Sequence, residues 1–269
     1  MFSTQDEKWN SERKFFDEIA RSNSAIPEKF NKRTISMYGN PGSLFAKQWG
    51  MKQLGSLKGL KVLDIACGEG ENSVLFALLG ADVTGVEISK ESVKNAQRRA
   101  EVNGVSERVN FICAPFESLD LEEKYDVVNI SAFLHHILDN LDFCMKCVVK
   151  ALKPGGKILI EEPTCASRFM KKLRDLTPIP PNAATPDERP LNQEEINLVK
   201  SYLGDIRVGE FGLLSRFTRL ILGDTFIEDA SKFKKSLVYL IASIDKIIFT
   251  IPAARKFSST QVWFGTARI

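Results

Sequence analysis

Histidine is the scarcest residue here: two, His135 and His136, in a chain of 269. Cysteine is limited to five, an odd number that forms no complete disulfide framework. Cys67, Cys113, Cys144, Cys147 and Cys165 sit within or beside apolar segments, which points to a reduced, cytoplasmic setting. Cys144 and Cys147 make a C-x-x-C inside the helical pattern LDFCMKCVVKALK. No second pair accompanies it, so helix packing is expected there and no metal is expected anywhere. An excess of one charge is also missing: 37 basic against 34 acidic residues leave +3, too little for the dense basic patch of a nucleic-acid binder. Long uncharged runs are absent too, since Asp245 and Lys246 interrupt SLVYLIASIDKIIFTIP short of the ~20 residues a spanning helix needs. The opening MFSTQDEKWNSERKFF mixes acids and bases before any apolar run, unlike a signal or transit peptide.

What is present is an alternation. KVLDIAC, ADVTGVEIS, VNFICA, YDVVNISA and KILIEEP are short apolar runs rich in β-branched residues. Helical patterns separate most of them: one beginning near Asn72, then KESVKNAQRRAEVNG, then LDFCMKCVVKALK, which ends in the turn PGG. Two later runs, DIRVGEFGLLSR and TQVWFGTARI, raise the strand count to seven. Helices of this length between strands imply βαβ units, hence an α/β, Rossmann-like, mostly parallel sheet covered on both faces. With 43% hydrophobic residues, the chain reads as a single domain over 1–269. It divides into an N-terminal helical lid (1–56, with a helix from Ser11 to Asn23), a ligand-binding core (57–165) and additions (166–269). These additions include a proline-rich connection and a helical insertion near 217–258, before the last strand.

Ligands of such sheets bind at the carboxyl ends of the strands. There the stretch DIACGEGEN resembles a phosphate-cradling turn, yet it lacks the third glycine and carries Asp64, Glu69 and Glu71. Carboxylates oppose a pyrophosphate at a helix N-terminus and so disfavour a nicotinamide dehydrogenase. They suit a ligand bearing positive charge, such as the sulfonium and ammonium of S-adenosylmethionine. Glu87, about 20 residues on at the end of the second strand, can accept hydrogen bonds from both ribose hydroxyls. Asp64 can meet the amino-acid moiety directly or through water. Taken singly, Asp64 also reads as an N-cap and Glu87 as an exposed strand end.

With VLDIACGEG, VTGVEIS, YDVVNISAFLHHILD and LKPGGKILIEEP in place, the chain resembles the class I S-adenosylmethionine-dependent methyltransferases. The likeness is to the small-molecule group that includes the quinone-biosynthesis enzymes, over about 57–163. The resemblance implies that Asp64, Ala66, Cys67, Gly68 and Gly70 surround the methionine part, that Glu87 holds the ribose and that Ile88 packs on the adenine. It implies that Asn129 and Ser131 border the methionine and the sulfonium, and that an antiparallel pair of strands closes the sheet. Where the family usually places an acid after the third strand, this chain has Pro115 with Phe116 beside it, so apolar contact and a backbone hydrogen bond are expected there. His135, His136 and Glu162 are the candidates for removing a proton from an acceptor. The two histidines are unranked, and a structural role is open for all three.

The expected reaction is methyl transfer to a small, lipophilic acceptor held near Arg33, Tyr38 and the segment from Leu191. A non-catalytic cofactor-binding scaffold and a tRNA-modifying enzyme are the alternatives. The 217–258 insertion reads as a packing layer, a dimer surface, or a cover that meets a membrane surface.

Overall fold

The computed structural model describes residues 5–22, 29–175, 188–223, 227 and 230–268. Most of the proline-rich connection, 176–187, and the end of the expected first helix at Asn23 therefore lie outside the described residues.

Five strands run parallel: β1 (Lys61–Ile65), β2 (Asp82–Glu87), β3 (Val109–Cys113), β4 (Tyr125–Ser131) and β5 (Leu152–Pro163). With β6 (Leu203–Phe211) and β7 (Thr260–Ala267) they form one seven-stranded sheet in the order β3-β2-β1-β4-β5-β7-β6, with β7 antiparallel to both neighbours. The order reverses beside β1, which opens the crevice between β1 and β4 at the carboxyl edge.

Side chains alternate across the sheet and define two cores. Leu63, Ile65, Val128, Ile130, Ile158, Ile160 and the fully buried Trp263 point to one face. That face is covered by α6 (Leu141–Ala151) and α8 (Gln193–Ser201). Val62, Val127, Leu159, Val262 and Phe264 point to the other, under α3 (Ala46–Leu54) and α4 (Glu71–Leu78). Cys144 is buried in the first core, and Cys147 packs against it on the same helix.

Three differences from the sequence reading have physical causes. The first helix, α1, spans Gln5–Ser22, starting six residues before Ser11, with Asp6 and Glu7 in its first turn where the helix dipole favours them. β5 begins at Leu152, so the expected PGG turn lies inside the strand. The register jumps from Tyr125↔Leu152 to Val127↔Lys157, and the extra residues bulge out at Gly155, whose φ is +75°. Within the lid region, α2 (Lys32–Gly39) and α1 are peripheral, but α3 is core: Met51 and Leu54 are buried and Gly50 fits against the Leu159 side chain.

The helix α5 (Lys90–Asn103) follows β2 and carries α1. Ser89 Oγ caps α5 by accepting from Ser92 N and donates to Asp17 Oδ1 of α1 at 2.6 Å; Glu91 N donates to the same oxygen at 3.1 Å. Asp17 thus joins the α5 cap. Against burial, which raises it, the bonds from Ser89 and Glu91 hold its carboxyl below the usual range. After β5 come α7 (Arg168–Asp175) and α8, and the insertion between β6 and β7 holds α9 (Thr218–Leu222) and α10 (Lys232–Ile248).

Candidate active site at the carboxyl edge

The loop after β1 turns sharply through three positive φ angles: Ala66 at +53°, Gly68 at +53° and Gly70 at +76°. A side chain at Gly68 would meet nothing within 4 Å, so its backbone stands open to a ligand, whereas one at Gly70 would strike Ala96 Cβ at 2.8 Å. Gly68 therefore serves approach, and Gly70 serves the packing of α4 on α5. Ala66 and Ala132, which follow β1 and β4, both have φ +53°, a conformation that costs a residue with a Cβ roughly 1 kcal/mol.

Behind this loop two carboxylates are fully engaged. Asp64, 1% exposed, accepts from Ser73 Oγ at 2.6 Å and from Asn129 Nδ2 at 2.8 Å. Glu87 accepts from Gly68 N at 3.0 Å and Ser89 N at 2.8 Å. Burial raises both carboxyls, and these hydrogen bonds oppose the rise. Asp64 acts as the internal tie between β1, α4 and β4, while Glu87 keeps lone pairs for further donors.

In front of the loop is a cavity lined by Ala66, Gly68, Val86, Glu87, Ile88, Ser92, Ala114–Glu117, Ala132, Phe133, His136 and Ile137, with Trp9, Glu12 and Phe16 of α1 closing it. Ala66, Gly68, Glu87, Ile88, Pro115, Phe116 and His136 are thus brought together as walls. Asp64, Cys67, Gly70, Asn129, Ser131, His135 and Glu162 are not among the lining residues. The Cys67 thiol is buried and pushed well up by that burial and by Asp64.

The cavity's charge has its origin away from Glu69 and Glu71. Glu69 pairs with Arg99 at 3.7 Å and Glu71 with Lys47 at 3.4 Å, so these two acids are compensated outside the walls. The negative sign comes instead from Glu12, Glu87 and Glu117, and among the described residues no lysine or arginine lines the cavity. Burial pushes Glu12 up to about 7 and also raises Glu117, whose Oε1 is buried without a hydrogen-bond partner. The acid missing at Pro115 thus reappears two residues later, on the turn Phe116–Ser118.

The proton-handling candidates lie beside the cavity. Glu162 is fully buried; its Oε1 accepts from Phe133 N at 2.7 Å and Leu134 N at 2.6 Å, and its Oε2 lies 2.8 Å from His135 Nδ1. The carboxylate assigns the proton to Nδ1 and leaves His135 Nε2 as the basic atom, 3.9 Å from Glu188. His136 differs: burial first, then the neighbouring His135, lowers it to about 3, so it is neutral and weakly basic. Its Nδ1 is 3.2 Å from Glu188 Oε1 without hydrogen-bond geometry. His135, His136 and Glu188 are the one group among the described residues whose ligand atoms, all within 4.8 Å, could hold a metal ion.

On the opposite face, strand alternation aligns Glu161 with Ser131, its partner in register, and with the Asp64–Asn129 pair. Burial pushes Glu161 up to about 7, with Lys47 opposing. Leu191, which opens the segment expected on the acceptor side, is itself fully buried and bridges Thr164.

A family model described as a methyltransferase domain matches residues 56–199, more than half of the chain. The chain belongs to the class I S-adenosylmethionine-dependent methyltransferases. This methyltransferase is 36% identical over 111 residues to a ubiquinone biosynthesis O-methyltransferase of Bordetella avium, an alignment covering 40% of the chain and 45% of that relative. The chain thus spans less than half the length of the curated relatives it matches. Its fold is shared with a magnesium protoporphyrin IX methyltransferase from Synechocystis with bound S-adenosylmethionine (TM-score 0.56, 14% identity, 100% of each chain). It is shared as well with a phosphoethanolamine N-methyltransferase of Haemonchus contortus (TM-score 0.56, 20% identity, 95% of this chain and 59% of that one).

The walls of the methyltransferase's cavity fit this cofactor. The open backbone at Gly68 and the acid-only charge suit a cationic ligand. The remaining lone pairs of Glu87 suit the ribose hydroxyls, and the unpartnered Glu117 Oε1 suits a donor such as the adenine amino group. Five contributors were not singled out from the sequence: Trp9, Glu12, Glu117, Glu161 and Glu188. Only Glu117 left a local signal, as an acid just after the third strand; the others are placed by long-range packing.

Proposed function

We propose that this methyltransferase methylates an ionisable oxygen of a small, lipophilic molecule, with His135 as the base and Glu162 as the residue that positions it. The observation that carries the proposal is the 2.8 Å contact between the buried Glu162 carboxylate and His135 Nδ1, which fixes the tautomer and leaves Nε2 to act. When bound, S-adenosylmethionine supplies a methyl group already activated by its sulfonium. The chain's own residues then need only position the acceptor, exclude water and take its proton. His135 Nε2 receives the proton that the acceptor oxygen loses, and the Glu162 charge stabilises the resulting imidazolium. His136, neutral at physiological pH, contributes a wall with Phe16, whose ring centroid is 5.5 Å away. The resemblance to enzymes named for O-methylation in ubiquinone biosynthesis supports an oxygen acceptor with an apolar body.

A second reading rests on Glu161. Its raised carboxyl shares a face with Ser131 and Asn129, so it is the alternative base for an acceptor that enters from the α3 side. Transfer of labelled methyl to a panel of phenols separates the two. His135→Gln should cut turnover at least ~100-fold, as loss of a general base does, and remove the acidic limb of the pH profile. Glu161→Gln should leave both nearly intact. The reverse result makes Glu161 the base, and full activity of both variants shows that the acceptor needs neither.

A further inference from the structure

α10 is apolar on the side turned away from the protein. Val238, Ala242 and Asp245 are buried against the body of the fold. On the outward side, Phe233 is 78% exposed, Ile247 is 68% exposed, and Leu240, Ile244 and Ile251 are also open to solvent. With Leu237 these residues recur at alternating four- and three-residue steps, a continuous stripe along the helix and the turn beyond it. Leu220 of α9 is 83% exposed and enlarges the apolar area. An exposed patch of this kind marks an interaction surface.

The charge around the stripe selects the partner. Residues 212–258 hold eight bases and four acids, so this segment exceeds the net +3 of the whole chain and the remainder is slightly acidic. Asp224, Glu228 and Asp229 lie outside the described residues; the fourth acid, Asp245, is buried. Asp245 is fully used: it accepts from Leu213 N, Leu214 N, Ser215 N and Ser215 Oγ at 2.7 to 3.1 Å. With eight bases against four acids, the segment carries a net positive charge that repels the same segment of a second copy. Pairing two such helices antiparallel brings Lys232 and Lys234 towards Lys246 and Lys256, and parallel pairing sets like against like. Anionic headgroups complement this arrangement, with apolar residues entering the interface and lysines at its rim.

We propose that the outer face of α10 docks this protein on an anionic lipid membrane. The Asp245 bonds fix the helix to the loop after β6, which ends at the carboxyl edge, since Phe211 and Pro163 both pair with Thr260. Two further contacts of α10, Phe45–Tyr239 at 5.3 Å between ring centroids and Lys246 Nζ to Ser43 Oγ at 2.8 Å, tie it to the segment leading into α3. Docking therefore turns the catalytic edge towards the lipid phase, from which an apolar acceptor is drawn. The docking itself does not depend on the acceptor reading, and its test reads binding rather than turnover.

The test is flotation of the full chain with phosphatidylcholine vesicles, with and without equal parts of phosphatidylglycerol, at low and raised salt. The protein should float with the phosphatidylglycerol vesicles at low salt and remain unbound with phosphatidylcholine alone. Lys232→Glu/Lys234→Glu should weaken binding by more than about tenfold, as removal of two interfacial lysines does. Leu240→Glu/Ile247→Glu should abolish it while leaving the thermal melt unchanged, because both side chains point away from the core. Failure of the native chain to float, or equal flotation of the lysine variant, overturns the proposal. So does a sedimentation-equilibrium dimer that Leu240→Glu/Ile247→Glu dissociates, which would assign the face to a second copy.

Discussion

The two halves of the carboxyl edge treat their carboxylates differently. At β1 and β2, each oxygen of Asp64 and Glu87 has a hydrogen-bond donor from the protein. Under α1 and at the end of β5, burial raises Glu12, Glu117 and Glu161 against the opposing pull of Lys8 on the first two and Lys47 on the third, and Glu117 Oε1 has no donor at hydrogen-bond geometry. The first half is a frame assembled in advance. The second stores unfavourable desolvation, which a cationic or hydrogen-bonding ligand can relieve.

Three substitutions probe that contrast, and the largest effect is expected in the frame. Asp64→Ala leaves Ser73 Oγ and Asn129 Nδ2 buried without their acceptor and should cost about 3 kcal/mol in urea unfolding, with loss of cofactor binding. A cost close to zero would mean that the frame is not what holds β1 and β4 in place. Glu87→Ala should weaken S-adenosylmethionine binding in calorimetry by at least about 1.5 kcal/mol, the value of hydrogen bonds to a charged group. Unchanged affinity would put the ribose elsewhere.

The smallest effect concerns Glu12 and has a defined sign. Its folded-state value of about 7 lies above the ordinary 4.5, so between these values the folded chain binds more protons than the unfolded one. Stability is therefore greatest at acid pH and declines as pH rises from 4.5 through about 7. Glu12→Gln should flatten this slope and stabilise the ligand-free protein at pH 8 by no more than about 2 kcal/mol, given partial solvent screening. Thermal melts at the two ends of the window read it, and a melt difference that is the same at both ends would contradict it.

The frame was largely legible in the sequence because its signals are local. Strand-length apolar runs, a glycine turn and an acid after the second strand gave β1, β2 and the residues around Gly68 and Glu87. The position of β5's start was not legible, because Lys153–Gly156 reads as a turn and becomes a bulge only when β4 fixes the register. Nor could a run of two glutamates say which faces where. The pleat sends Glu162 to His135 and Glu161 to the side of Ser131, and one residue of register would exchange them. Trp9 and Glu12 were out of reach for another reason: they lie far along the chain from the walls they complete. The family motifs brought His135 and His136 forward together, and only their surroundings separate them: one faces the Glu162 carboxylate, and burial keeps the other neutral.

The Asp17 tie between α1 and the start of α5 has a mechanical meaning. Trp9, Glu12 and Phe16 of α1 form one wall of the cavity, so that wall is only as steady as the helix that carries it. Lifting the end near Asp17 would expose the cap of α5 and break the two hydrogen bonds to the one Asp17 oxygen together with the buried bond from Asn95 Nδ2 to Ala20 O at 3.0 Å. The amino-terminal end, which carries Trp9, is tied as well: Asn140 Nδ2 donates to Gln5 Oε1 at 2.6 Å, and Lys8 lies 3.8 Å from Asp139. α1 is thus fastened to the fold near both of its ends, and the wall it gives the cavity is held in place from either side.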